Sequence, residues 1–394
     1  MELVKMDQCT GCGACAQSCP QACIHFSEDS RGFSFPTIDQ NACIHCGKCR
    51  SVCPVLRTSA SGREPIAYAA YSSCSDTRAE SSSGGIFSEL AKLVLSRGGV
   101  VFGAAFDKTF SVRHICVENE QDRWRLRGAK YVQSDIGTCY KEAKNRLNRG
   151  QYVLFSGTPC QIAGLHSFLN RQYSNLLSVD IVCMGVPSPT VWQSYMRYRE
   201  KMDTSGSSLI EVSFRSKESG WSRYQYSVQC KYADGTLYQV PNQQDLYLQL
   251  FTGRYLSRAC CTNCNFKGIM RDSDITLGDF WGIWDIAPEM DDNGGTSVIL
   301  VHTPTGDSFL QQLGKGVICK KMPLDSAYMQ NPAIIHSFPL ADDHDTIVSL
   351  ALRGSFDKIQ RILDRKQKRA SAPKIFQSAK RILRRLLYSK EEKK

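Results

Sequence analysis

Residues 9–20, CTGCGACAQSCP, and residues 43–54, CIHCGKCRSVCP, decide how this chain is read. Both spell C-x2-C-x2-C-x3-C-P, and each position of the second copy lies 34 residues after its counterpart. Three thiolates two residues apart on a tight loop can grip three irons of one cubane. The fourth Cys, followed by Pro, is expected to start a helix that points away and to ligate the other cluster. On that reading Cys9, Cys12, Cys15 and Cys53 hold one 4Fe-4S cluster. Cys43, Cys46, Cys49 and Cys19 hold the second. Gly11, Gly13 and Gly47 let the loop backbone approach the sulfides closely.

Two alternatives compete, a pair of zinc sites and a disulfide framework. Zinc sites use two separated C-x2-C halves and have no Cys-Pro pair. The expectation is therefore a bacterial-type 2[4Fe-4S] ferredoxin fold over residues 1–57, with Ile24–Phe26 and Phe33–Ile38 as short strands.

The chain has 394 residues, which suggests two to three domains. Its 19 Cys, without a secretion signal, point to a reducing cytoplasm and to metal ligation. No apolar run approaches the roughly 20 residues that cross a membrane. The net charge of +11 is local, because residues 353–394 carry 15 Lys/Arg against 4 Asp/Glu and the rest is neutral. A neutral body with a cationic appendage is not the profile of a nucleic-acid-binding domain, so no nucleic acid is expected as partner.

Residues 55–66, VLRTSASGREPI, read as a linker. Strands are then expected at 67–71, 100–106, 111–117, 151–155 and 176–182. Helices are expected at 86–97, 138–149 and 161–170. This alternation argues for an α/β sheet. Later strands at 210–214 and 226–232, with Asp234-Gly235 as a hairpin turn, read as antiparallel. A helix is expected at 245–256 and a strand at 298–301. The fold class is thus mixed α/β, with the ferredoxin module ahead of an α/β flavin- and cluster-binding domain. Its two parts run over 65–190 and 191–345.

SGTPCQIAG (156–164) sits between a strand and a helix. Its small residues let backbone N–H groups converge on an anion, and a Cys there is expected to favour thiolate. Cys160 reads as nucleophile, metal ligand or simple turn residue. Cys183 ends a neighbouring strand, where open α/β sheets place ligands. Cys261 and Cys264 form half a metal site. Together these four thiols can hold a third 4Fe-4S cluster. Cys23, Cys74, Cys116, Cys139, Cys230 and Cys319 lack partner spacing and read as small buried hydrophobes. Asp274 and Asp279 read as strand-end or turn residues before proton carriers.

KYVQS (130–134), GTPCQIAGL (157–165), DIVCMGVPSP (180–189), RSKESGW (215–221), CTNCNF (261–266) and SDITLGDFWG (273–282) occur in this order. With them the chain resembles the coenzyme F420 hydrogenase/dehydrogenase beta-subunit family, with a dicluster ferredoxin domain in front. The resemblance covers roughly residues 1–340 and implies an iron–sulfur flavoprotein that passes electrons between a one-electron carrier and a hydride donor or acceptor through 4Fe-4S clusters and FAD. Its implied partners are a redox carrier protein or the deazaflavin coenzyme F420, and a small-molecule substrate. Some bacterial relatives belong to polysaccharide biosynthesis. An electron-transfer subunit of a larger complex is the alternative. The resemblance supports Cys160, Cys183, Cys261 and Cys264 as third-cluster ligands. It also supports Ser83, Gly84, Gly85, Lys130, Tyr131, Gln133, Ser134, Gly157 and Thr158 as the FAD neighbourhood. It assigns no catalytic residue. Met184 stands where relatives commonly have His, and Cys260 adds a thiol beside the expected pair.

In the tail, Ile375, Ala379, Ile382, Leu383, Leu386 and Leu387 follow helical spacing, with basic residues between them. Such a helix suits an anionic inner-membrane surface, against the readings of a helix packed on the body or a solvated tail.

Overall fold

A computed structural model describes residues 3–57, 63–204, 206–222 and 225–371. The amphipathic stripe expected over 375–387 lies outside them. Thirteen strands are found among the described residues. They are β1 (Ile24–Glu28), β2 (Ser34–Ile38), β3 (Ile66–Ser72), β4 (Val100–Phe106), β5 (Val112–Val117), β6 (Val153–Gly157), β7 (Leu176–Ile181), β8 (Leu209–Ser216), β9 (Ser227–Tyr232), β10 (Leu237–Pro241), β11 (Ile275–Asp279), β12 (Ser297–Val301) and β13 (Val317–Met322).

Eight of them form one mixed sheet in the order β13-β3-β12-β11-β7-β6-β4-β5. The four central strands β4, β6, β7 and β11 run parallel. Their near-continuous apolar sequences fit burial on both faces. Along β4 and β6 the side chains alternate. Val101 and Leu154 face the helices Ile86–Ser96 and Pro304–Gln312. Phe102 and Phe155 face Cys139–Asn148 and Pro159–Leu169. The later strands β11, β12 and β13 return to this sheet, and β3 is inserted between β13 and β12. That is the main departure from the expected split into an α/β half and an antiparallel half. Sequence neighbours reveal local pairings, whereas the β3–β12 and β3–β13 ladders join segments more than 200 residues apart.

The antiparallel sheet β10-β9-β8 forms a second layer. Its core holds Trp192, Tyr195, Phe214, Tyr247 and Phe251. The helix Phe356–Ser371 plants Phe356 and Ile359 in the same core, so this part of the cationic region packs on the body. The helix expected over 245–256 is shorter, Leu246–Thr252. Asp245 caps it by accepting a bond from Leu248 N at 2.8 Å.

In the N-terminal module β1 and β2 pair antiparallel. The helices, Ala14–Ser18 and Lys48–Ser51, lie before the fourth cysteines rather than after the Cys-Pro pairs. The Cys19 N–H closes the preceding turn on Ala16 O, and Pro20 follows a helix end, where it cannot continue the helix. The module is not a separate bead. Cys12 and Ala14 share a core cluster with Phe155, Ile162 and Leu165 of the body. A cut at the 55–66 segment would therefore expose apolar surface on both sides, against the independence that a Ser/Gly/Arg linker suggests.

Candidate functional site

The eight cysteines of the doubled motif separate into two sets. Cys9, Cys12, Cys15 and Cys53 line one cavity, closed by Val4, Phe26 and Pro36. Cys19, Cys43, Cys46 and Cys49 line the other, with Ile24 and Ile38. These are the groupings that the motif spacing predicts. Burial pushes the Cys12 thiol up to about 11, and negative charge on Cys9 or Cys53 raises it further. A crowded set of this kind is stabilised as thiolates by bound metal. Cys23, read from the sequence as bland, lines the second cavity with its sulfur 3.4 Å from that of Cys19. Cys139 and Cys230 are buried as expected, whereas Cys74 and Cys319 are exposed.

Arg258 fastens the module to the body. Its side chain is fully buried. Nε donates to Cys9 O at 2.8 Å, Nη2 to Ser34 O at 3.0 Å and Nη1 to Gln133 Oε1 at 3.0 Å. Its guanidinium lies 4.0 Å from the Phe35 ring centre. Gln133 in turn donates to Thr10 O at 3.1 Å. Gly11 has φ +70°, and a Cβ there would meet Gln133 Nε2 at 2.7 Å, so the cysteine loop lies hard against the body. Arg258 had no role in the sequence reading. Its signal was a lone basic residue three positions before the C-x2-C pair.

The third cysteine set is assembled from three places. Cys160 begins the helix Pro159–Leu169, Cys183 follows β7, and Cys261 and Cys264 lie on the short turn Ala259–Asn263 and just after it. β6 and β7 are adjacent and parallel, which brings Cys160 and Cys183 together. Burial raises the Cys160 thiol well above its ordinary value, and Cys264, Cys183 and Cys261 raise it further. This overturns the expectation of a helix-activated thiolate, because burial and like charge outweigh the helix end. Gly185 N lies 3.4 Å from Cys183 Sγ, and Lys267 donates to Cys183 O. Cys260 stands beside Cys261.

The expected anion cradle at SGTPC is also altered. Thr158 and Gln161 form a capping box, with Thr158 N donating to Gln161 Oε1 at 2.9 Å. Pro159 has no N–H to offer. The loop thus satisfies its own amides and fixes the position of Cys160.

The nine residues expected around FAD fall into two groups. Gln161 ties Ser134, Gly157 and Thr158 together, donating to Ser134 Oγ at 2.9 Å, and Gln133 faces the N-terminal module. Ser83, Gly84 and Gly85 form a loop against β12, where Gly84 N donates to Ser297 Oγ at 3.0 Å. Strand β8 links this loop to Tyr131. Lys217 Nζ donates to Ser83 O at 2.7 Å and to Gly294 O at 2.8 Å. Arg215 Nη1 donates to Tyr131 Oη at 3.2 Å and to Asp279 Oδ2 at 2.6 Å. Trp221 and Tyr226 ring centres lie 4.3 and 4.8 Å from the Arg215 guanidinium. Burial lowers Lys217 to about 7, with Arg78 adding to the effect. Lys130 donates to Arg127 O at 2.6 Å and Gly128 O at 3.1 Å.

Arg215 Nε and Nη2 and Asp279 Oδ1 are buried and have no hydrogen-bond partner among the described residues. Unpaired buried polar atoms of this kind mark a place where a further partner fits. Arg215, Lys217 and Trp221 lie inside RSKESGW, and Asp279 inside SDITLGDFWG, so the stretches were legible but the individual roles were not. Asp279 is the strand-end residue that was expected, with an added ion pair. Asp274, by contrast, knots the other end of β11 to Ser178 N at 2.8 Å and Ser178 Oγ at 2.6 Å.

Two cysteine-lined cavities in a small module, joined to an α/β body with four more converging thiols, define an iron–sulfur protein of the oxidoreductase class. Residues 8–56 belong to the 4Fe-4S dicluster domain family, and residues 150–326 to the family described by the C terminus of the coenzyme F420 hydrogenase/dehydrogenase beta subunit. The second match runs across the expected boundary at 190/191. Among curated proteins the chain is similar to the F subunit of the F(420)H(2) dehydrogenase of Methanosarcina mazei, 20% identical over 329 residues, which cover 79% of this chain and 84% of that one. It is also similar to the Ferredoxin 7Fe of Hydrogenibacillus schlegelii, 40% identical over 57 residues, 14% of this chain and 67% of that one. A solved structure, the F420-reducing [NiFe] hydrogenase complex from Methanosarcina barkeri, matches over 77% of this chain and 92% of its own chain. It is 17% identical, with a TM-score of 0.43. Among the described residues no helix is long and apolar enough to cross a membrane.

Proposed function

We infer that the chain passes electrons between a one-electron carrier and a hydride donor or acceptor of the deazaflavin type, as a flavin-containing iron–sulfur oxidoreductase working within a larger redox assembly. The observation that carries this reading is the continuity of the thiol sets. Cys12 abuts the helix that begins at Cys160, and Cys160 gathers Cys183, Cys261 and Cys264. The twelve cysteines would hold three 4Fe-4S clusters, which supply single-electron transfer, while FAD supplies conversion between single electrons and a hydride.

The polar atoms left over support a flavin place between the Ser83–Gly85 loop and Tyr131. The free Arg215 N–H groups suit the carbonyl oxygens of a ring edge, and Asp279 Oδ1 suits a ring N–H. Trp221 supplies apolar wall, and Lys217 holds the Ser83 loop in place. The name of the Methanosarcina mazei relative supports the assembly reading, since that protein is one subunit of a dehydrogenase. Anaerobic purification with iron and flavin counts tests the proposal. About twelve irons, four per cluster, and one FAD per chain are expected. Bleaching of the flavin by reduced coenzyme F420 is the second expected result. Saturation at about eight irons, or no flavin after reconstitution, overturns it.

A further inference from the structure

The two cavities of the N-terminal module face different surroundings. The Cys9 set is turned toward the body. Cys12 meets Gly164, and Arg258 and Gln133 hold the loop at Cys9 and Thr10. The Cys43 set is lined wholly by residues 19–49 of the module. Cys46 is exposed, Ile44 is 58% exposed, and His45 and Lys48 are exposed beside them. No carboxylate occurs in residues 14–24 or 40–53, whereas Lys48 and Arg50 do. The edge is therefore an apolar centre with a basic rim, over a redox site that no other part of the described chain covers.

We propose that this edge, Ile44 to Lys48, is the docking surface for an acidic one-electron carrier protein, so that electrons cross from the Cys43 set through the Cys9 set to the body. The proposal rests on the cluster reading given above. Transient redox encounters use small interfaces, under about 1,200 Å². A charged rim steers such an encounter and an apolar centre holds it briefly. Each encounter oxidises the carrier by one electron and reduces the cluster of the Cys43 set by one. No atom is transferred.

The test uses the full, cluster-loaded chain and the variants Lys48→Glu and Ile44→Gln. Iron content and electron paramagnetic resonance come first; absence of the two module clusters in the wild type overturns the underlying reading and the proposal with it. Rapid-mixing reduction is then followed with a reduced, acidic plant-type [2Fe-2S] ferredoxin and with the methyl viologen radical. Lys48→Glu should slow the ferredoxin reaction roughly tenfold at low salt and flatten its dependence on ionic strength. Ile44→Gln should slow it at every ionic strength. The viologen rate should not fall in either variant. Unchanged ferredoxin rates in both loaded variants overturn the proposal. So does an equal fall with viologen and ferredoxin alongside a shifted cluster potential, because Lys48 would then tune the cluster and not the docking.

Discussion

Cys12 and Gly164 touch across the seam between the N-terminal module and the body. A Cβ built on Gly164 would stand 3.0 Å from the Cys12 sulfur and 3.0 Å from Tyr140 Oη. Gly164 lies four residues, one helical turn or about 5–6 Å, after Cys160. One glycine thus sets the separation of the two thiol sets. Gly164→Val should force the module outward, destabilise the protein by about 1–3 kcal/mol, and slow electron passage from module to body while iron content stays near wild type. Denaturation and single-turnover reduction check both effects. A wild-type transfer rate in the variant would refute the contact as the route.

Arg258 should be the main fastening. Arg258→Ala leaves Cys9 O and Ser34 O without this donor, at roughly 1–3 kcal/mol each. Hydrogen exchange should quicken over residues 9–35 while the central strands β6 and β7 stay protected. Uniform exchange across the whole chain would instead mean that the protein has lost its fold as one unit.

The third thiol set can be counted. Cys183→Ser should lower the iron content by about four, one cluster's worth, and Cys260→Ser should leave it unchanged. A loss of iron in the Cys260 variant would move the ligand from Cys261 to its neighbour.

At the β8 edge, Arg215→Leu should strip the Asp279 carboxylate of its buried partner. The stability cost is on the order of 3 kcal/mol. Flavin retained through gel filtration should fall steeply, with Arg215→Lys intermediate, because lysine keeps the charge but not the planar fork. Full flavin retention in a folded Arg215→Leu protein would separate this cluster from the cofactor.

A pH effect follows from His114. It is 6% exposed, Nε2 lies 2.9 Å from Ser156 O, and burial lowers it to about 4. The folded value lies below the unfolded one, so the folded state favours neutral imidazole. Its contribution is full above about pH 6.5 and is lost as pH falls toward 4. Between about pH 7.5 and 5 the loss is about 2 kcal/mol, which His114→Gln should remove from the denaturation profile relative to wild type. Parallel profiles for the two proteins would show that His114 does not titrate in this way.

The local layers were legible in the sequence because local physics sets them. The doubled cysteine spacing determined which thiols share a cavity, since a tight loop can present three of them in only one way. Apolar runs such as Val100–Phe106 and Leu176–Ile181 determined the central strands, since burial on both faces removes the usual alternation. Tertiary structure alone decided the rest. That β3 lies between β12 and β13, that Arg258 crosses to Cys9 O, and that Arg215 faces Asp279 and Tyr131 are contacts between segments tens to hundreds of residues apart. Such pairings are chosen by how the whole core packs and by which buried charges find a counter-charge. The same distinction explains Cys160. Its place at a helix start was readable and promised a lowered pKa, but only the assembled fold buries it among three other thiols and reverses the sign.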